Sequence, residues 1–219
     1  MEKSERCGFL FLGLALAAFL GLGLEMIPAY LIEPVIYGGQ AADWNTAEIL
    51  IHWSVTCVIW GIFTASLCAF AAKKSGESVF KQKKPLRIGN WAVCLALTAA
   101  CVIISLIDWK GFKPAIEFQT LGLLKFIFQY IYYAFEAALV FLIIAFGQSA
   151  GERLFNVKKF PWGGALVGFT WGLVHAATKG SLIAGLLSCL AGAVYGAIYL
   201  AAGKNAPISY MLVYLAFVL

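Results

Sequence analysis

Stretches of apolar residues long enough to cross a bilayer recur from one end of the 219-residue chain to the other. A helix needs about 20 such residues to traverse roughly 30 Å of hydrocarbon. Six segments meet that need: Cys7–Ala29, Ala47–Ala72, Asn90–Ile107, Leu121–Phe146, Trp162–Thr178 and Ser181–Ala202. A seventh, Ala206–Leu219, would cover only about 21 Å and reads as a short or partial span. The fold expected from this pattern is an all-α polytopic transmembrane bundle of about seven spans. No repeat, low-complexity tract or polar domain interrupts it, so residues 1–219 read as a single membrane domain.

Charge is scarce enough to exclude a water-soluble alternative. Charged residues make up 12% of the chain and apolar residues 62%, whereas soluble domains carry about a quarter charged residues. The formal charge of +5 is therefore read as an orientation signal, with the lipid bilayer and no nucleic acid as the partner. With the N-terminus in the cytoplasm, the loops place all but four of the 16 cations inside. The four are Lys110, Lys113, Lys125 and Lys179, accompanied outside by Glu25, Glu33, Asp43, Glu48, Asp108 and Glu117. The expected location is the plasma (inner) membrane. The first apolar run follows a basic start but is too long for a signal peptide h-region, so it reads as a retained helix. Residues 30–46 read as an outer loop, and the basic loop 73–89 as a topology determinant lying near anionic headgroups. The six cysteines sit in or beside apolar segments without Cys-x-x-Cys spacing. They read as small hydrophobes, with no metal site and no cofactor expected.

Gly164, Gly168, Gly172 and Ala176 fall at helical intervals, and Gly185, Gly192 and Gly196 form a similar face one segment later. Small residues every fourth position let two membrane helices approach closely. The turn near Lys179-Gly180 would make the pair an antiparallel hairpin.

Ionisable residues inside the bilayer are costly and mark functional candidates. Glu136 lies deep in the fourth segment and His175 deep in the fifth, at expected depths of about 15 and 20 Å from the cytoplasmic side. A carboxylate and an imidazole on consecutive helices suit activation of water by a general base. The structural alternatives are a Glu136 bonded to Tyr132 or Tyr133 and a neutral His175 bonded across helices. His52 lies near the outer end of its segment, where an i,i+4 pair with Glu48 accounts for it.

The later residues also carry a resemblance. Phe135-Glu136-Ala137-Ala138-Leu139-Val140-Phe141 is followed by Lys158-Lys159, then Trp171-Gly172-Leu173-Val174-His175, the Gly-rich sixth segment and Ala206-Pro207-Ile208. In order and spacing, residues 130–219, within a segment 120–219, resemble the core of the CAAX-protease and bacteriocin-processing (CPBP or Abi) intramembrane endopeptidases. The resemblance implies that Glu136 activates water and that His175 binds the water or the oxyanion, making both catalytic. The pattern departs at its other catalytic positions. The second motif glutamate falls on Phe135 or Ala137, the arginine on Val140 or Phe141, the last-helix histidine on Met211 and its small-or-Asn partner on Leu215. A lost oxyanion donor alone costs about two to three orders of magnitude in rate. The expectation is therefore a diverged relative with weakened or absent peptidase activity, binding a hydrophobic peptide or membrane partner. An active Glu136/His175 endopeptidase is the alternative, and a small transporter or accessory subunit with Glu136 as proton carrier is a second.

Overall fold

A computed structural model describes residues 3–76 and 86–219, and the regular structure among them is helical. The α-helices are α1 (Lys3–Leu22), α2 (Glu33–Tyr37), α3 (Thr46–Ser75), α4 (Ile88–Trp109), α5 (Lys113–Phe155), α6 (Trp162–Val167), α7 (Leu173–Thr178), α8 (Leu182–Ala201) and α9 (Ala206–Val218). A π-turn at Pro28–Ile32 leads into α2, and another at Gly168–Gly172 joins α6 to α7. Lys81, Lys83 and Lys84 of the expected basic loop lie outside the described residues.

Five stretches are long and apolar enough to cross a membrane: Ser4–Tyr37, Thr46–Ser75, Ile88–Trp109, Lys113–Phe155 and Leu182–Ala201. The expected count of about seven is corrected by two of the later segments. The fifth expected segment is divided by its π-turn into α6 and α7, of six residues each, and α9 has only 13 residues. The expected outer loop 30–46 is also largely helical, through the π-turn, α2 and a 3-10 turn at Ala41–Asp43. Asn45 starts α3 through a reciprocal cap. Its Oδ1 accepts from the backbone N–H groups of Ala47 (2.9 Å) and Glu48 (3.2 Å), and its own N–H donates to Glu48 Oε2 at 2.7 Å.

Helix α5 is the post around which the bundle forms, packing against α1, α3, α6 and α9. Leu139–Gly147 is buried throughout, as expected of a helix that is apolar all round. The fourth expected span started at Leu121, but α5 begins at Lys113 and breaks at Gly122 (φ 72°, ψ 169°). That backbone region is open essentially to glycine alone. The arm before the break folds back antiparallel on the helix after it. Phe118 meets Phe126 at 5.5 Å between ring centroids, Glu117 meets Tyr130, and Lys113 meets Tyr133.

The glycine hairpin forms as its spacing predicts. A β-carbon on Gly196 would stand 2.5 Å from Gly164 Cα, and one on Gly172 would stand 2.8 Å from Cys189 Cα. This close approach is available because glycines face the neighbouring backbone at each of these contacts. It fixes α6, the π-turn and α7 against α8, and it aims Trp171 and His175 toward α5.

Candidate functional site

The π-turn carries Trp171 at its inner side, 8% exposed. A π-turn widens the helix by one residue and leaves backbone carbonyls without their usual partners. The Trp171 carbonyl is taken up by His175 Nδ1 at 2.8 Å, while the indole N–H donates to Glu136 Oε1 at 3.1 Å. The two rings lie 4.1 Å apart between centroids. A carbonyl only accepts, so Nδ1 carries the hydrogen and the neutral ring keeps Nε2 as an acceptor. Trp171 thus links the two predicted residues, which both line one cavity of about 180 Å³.

The lining follows α4 from Cys101 to Trp109 and α8 from Tyr195 back to Leu187. Its charged residues stand where α4 turns into α5 and α7 turns into α8. There Lys179 Nζ meets Asp108 Oδ2 at 2.7 Å. Lys113, 6% exposed, donates to the Phe217 carbonyl at 3.0 Å and lies 4.4 Å from the Tyr133 ring centroid and 4.9 Å from that of Phe217.

The neighbouring ionisable residues have other partners. Tyr132, expected beside Glu136, donates to Glu25 instead. Tyr133 donates to Glu117 Oε1 at 2.7 Å, and Tyr130 donates to Glu117 Oε2 at 3.0 Å. The expected His52–Glu48 pair does not form, because the Glu48 carboxylate is engaged in the cap of α3. His52 Nδ1 pairs with the buried Glu33 Oε2 at 2.7 Å. Tyr210 and Tyr214 donate to the α5 carbonyls of Ala134 (2.9 Å) and Tyr130 (3.1 Å). Met211 and Leu215, which the resemblance aligns with catalytic positions, are 52% and 38% exposed and do not line the cavity. Among the described residues no group of three His, Cys, Asp or Glu side chains is arranged to hold a metal ion.

Sequence reasoning missed Trp171 as a linking group, and Lys113 and Glu117 as buried residues. The Trp171-x-x-x-His175 interval was a usable signal, since residues four apart share a helix face. For Lys113 and Glu117 no local signal existed, because their burial depends on the fold-back at Gly122. The cavity can hold a small guest between an acceptor pair, Glu136 Oε2 and His175 Nε2, and hydroxyl and ammonium donors. No protein-family model matches the chain, and neither a curated protein nor a solved structure matches it.

Proposed function

We propose that the chain is an integral membrane binding protein, a diverged relative of the CPBP endopeptidases, whose cavity receives part of a hydrophobic peptide or membrane-borne partner. The observation that carries this reading is the convergence of Glu136 and His175, through Trp171, on one cavity of about 180 Å³. A space of about 150 Å³ takes one benzene-sized group, so this one admits a side chain or headgroup but not an extended peptide. The open walls also favour binding over turnover, because the positions the resemblance assigns to further catalytic groups carry Met211 and Leu215, which face away. In the orientation that places the N-terminus in the cytoplasm of a plasma-membrane protein, the charged residues Asp108, Lys113 and Lys179 meet the outer side.

Peptide hydrolysis is the second reading, favoured by the free Nε2 of His175 and Oε2 of Glu136 in the same space. A water held between them would lose its proton to the carboxylate as it attacked a carbonyl. One experiment separates the two readings. A photo-crosslinking amino acid replaces Ser188, on the cavity wall, and the protein is irradiated in its native membrane. Binding predicts a discrete adduct that survives Glu136→Gln and disappears when Ala191→Phe fills the cavity. An adduct indifferent to Ala191→Phe overturns the proposal. A cleaved fragment that Glu136→Gln abolishes establishes hydrolysis in its place.

A further inference from the structure

The cavity contains two ammonium groups and two carboxylates, and three of the four have a side-chain hydrogen-bond partner. Lys179 and Asp108 pair with each other at 2.7 Å. Glu136 gives Oε1 to the Trp171 indole. Lys113 is the exception. It is 6% exposed and forms no ion pair among the described residues. Its partners are one backbone carbonyl, of Phe217, and the faces of Tyr133, Phe217 and Trp109. The carboxylates of Glu117, one turn along the same arm, and of Glu136 act on this ammonium at longer range, but neither comes within ion-pair distance, and Glu117 gives its oxygens to Tyr130, Tyr133 and Gln129.

A desolvated ammonium without a counter-ion is costly, and the cost is offset when a charged acceptor arrives. One carbonyl satisfies one of the three N–H donors of a lysine. Further donors line the same space. Tyr195 is 3% exposed, and its hydroxyl has no hydrogen-bond partner among the described residues; the same holds for the Ser105 and Ser188 hydroxyls. The lysine and these three hydroxyls thus outnumber the two open acceptors of the cavity, Glu136 Oε2 and His175 Nε2. Between them the walls are apolar, with Trp109, Phe217, Ile104 and Leu187.

Resting on the binding function proposed above, we infer that the guest enters with an oxyanion, a carboxylate or phosphate ester at the end of an apolar body, and that Lys113 is its counter-ion. The hydroxyls of Tyr195, Ser105 and Ser188 are further donors to it, and the aromatic wall takes the first carbons of the chain. The carboxylate and the phosphate ester share this chemistry, and a set of dodecyl probes tells them apart.

The test uses the full chain in nanodiscs of neutral lipid and measures equilibrium binding of radiolabelled dodecanoate, with displacement by dodecyl phosphate, dodecanol and acetate. A hydrogen bond to a charged group corresponds to about a ten- to hundredfold change in affinity. Dodecanol is therefore expected to bind about ten- to hundredfold more weakly than dodecanoate, and Lys113→Met is expected to abolish that difference. Lys113→Arg, which keeps the charge, is expected to retain most of it. The tighter of dodecanoate and dodecyl phosphate identifies the oxyanion. Equal binding of dodecanol and dodecanoate by the native chain overturns the inference without any variant. Acetate binding as tight as dodecanoate overturns the apolar body. If no dodecyl compound binds while the Ser188 adduct still forms and is lost in Ala191→Phe, the binding function stands and the oxyanion inference falls.

Discussion

Gly196→Ala tests whether the glycine seam holds the site together. The new β-carbon would stand 2.5 Å from both Cα and N of Gly164 and 3.3 Å from Pro161 Cβ, where ordinary contact is 3.4–4 Å. The obstructing atoms at Gly164 are backbone, so no rotamer relieves the clash. Helices α6 and α8 must separate by about 1 Å at that level, and overpacking of this kind costs about 1–3 kcal/mol. Replacing glycine inside a helix returns about 1 kcal/mol. The clash wins, because separation also loosens the next contact down the seam, Gly192 against Gly168 N, where a β-carbon would stand at 2.9 Å. The expected net loss is up to about 2 kcal/mol. Tyr195 precedes Gly196 on α8 and lines the cavity, so binding should weaken together with stability. Reversible unfolding in mixed micelles of mild detergent and dodecyl sulfate measures the first, followed by tryptophan fluorescence. Gly13→Ala is the control, since nothing lies within 4 Å of its β-carbon position, and it should be neutral or slightly stabilising. If Gly196→Ala unfolds at the same detergent fraction as Gly13→Ala, the seam does not carry the packing assigned to it.

Further substitutions examine two buried carboxylates. Glu117→Leu strands the donors of Tyr130, Tyr133 and Gln129 and should cost about 3 kcal/mol or more, whereas Glu117→Gln keeps an acceptor and should cost less; equal losses in the same unfolding assay would show that the arm is held by packing alone. His52→Ala leaves Glu33, 4% exposed, without its imidazole and should cost about 3–5 kcal/mol. Pairing His52→Ala with Glu33→Gln should recover part of that loss, and strict additivity across the double-mutant cycle would disprove the coupling.

Much of the bundle was legible because lipid imposes its demands locally. A chain that must satisfy its own backbone inside hydrocarbon has to be helical, and run length then marks where. The stripe from Gly164 to Ala176 was equally readable, since spacing along one helix decides which face is flat. The convergence of Glu136 and His175 on one cavity follows from that seam. What escaped depended on contacts between distant segments. Gly122 looked like any other glycine in an apolar run, and only the fold-back reveals that it breaks α5. That fold-back buries Lys113 and Glu117, which sequence places in a connecting segment. His52 had Glu48 at a plausible interval, yet Glu48 is drawn away by the Asn45 cap and Glu33 arrives from 19 residues upstream. The π-turn at Gly168–Gly172 has no signature that separates it from an ordinary helical turn.

The polar side chains of α5 between Gln129 and Glu136, and the carboxylate of Glu117 on its arm, are unequally satisfied. In lipid there is little hydrophobic force between helices, so packing and polar contacts must fix their arrangement. Residues 129–136 supply such contacts to three neighbours: Tyr132 to Glu25 beyond α1, Tyr133 and Gln129 to Glu117 on the arm, and Glu136 to Trp171 on the π-turn. Below that level Leu139–Gly147 is wholly buried and apolar. Glu117 receives three donors that occupy both its oxygens, which is what a carboxylate retained for architecture requires. Glu136 receives one, on Oε1, and is only half-buried because its other side meets the cavity. Glu136 keeps one oxygen, His175 its Nε2 and Lys113 two of its three N–H groups without a partner among the described residues, and all three residues line the same cavity.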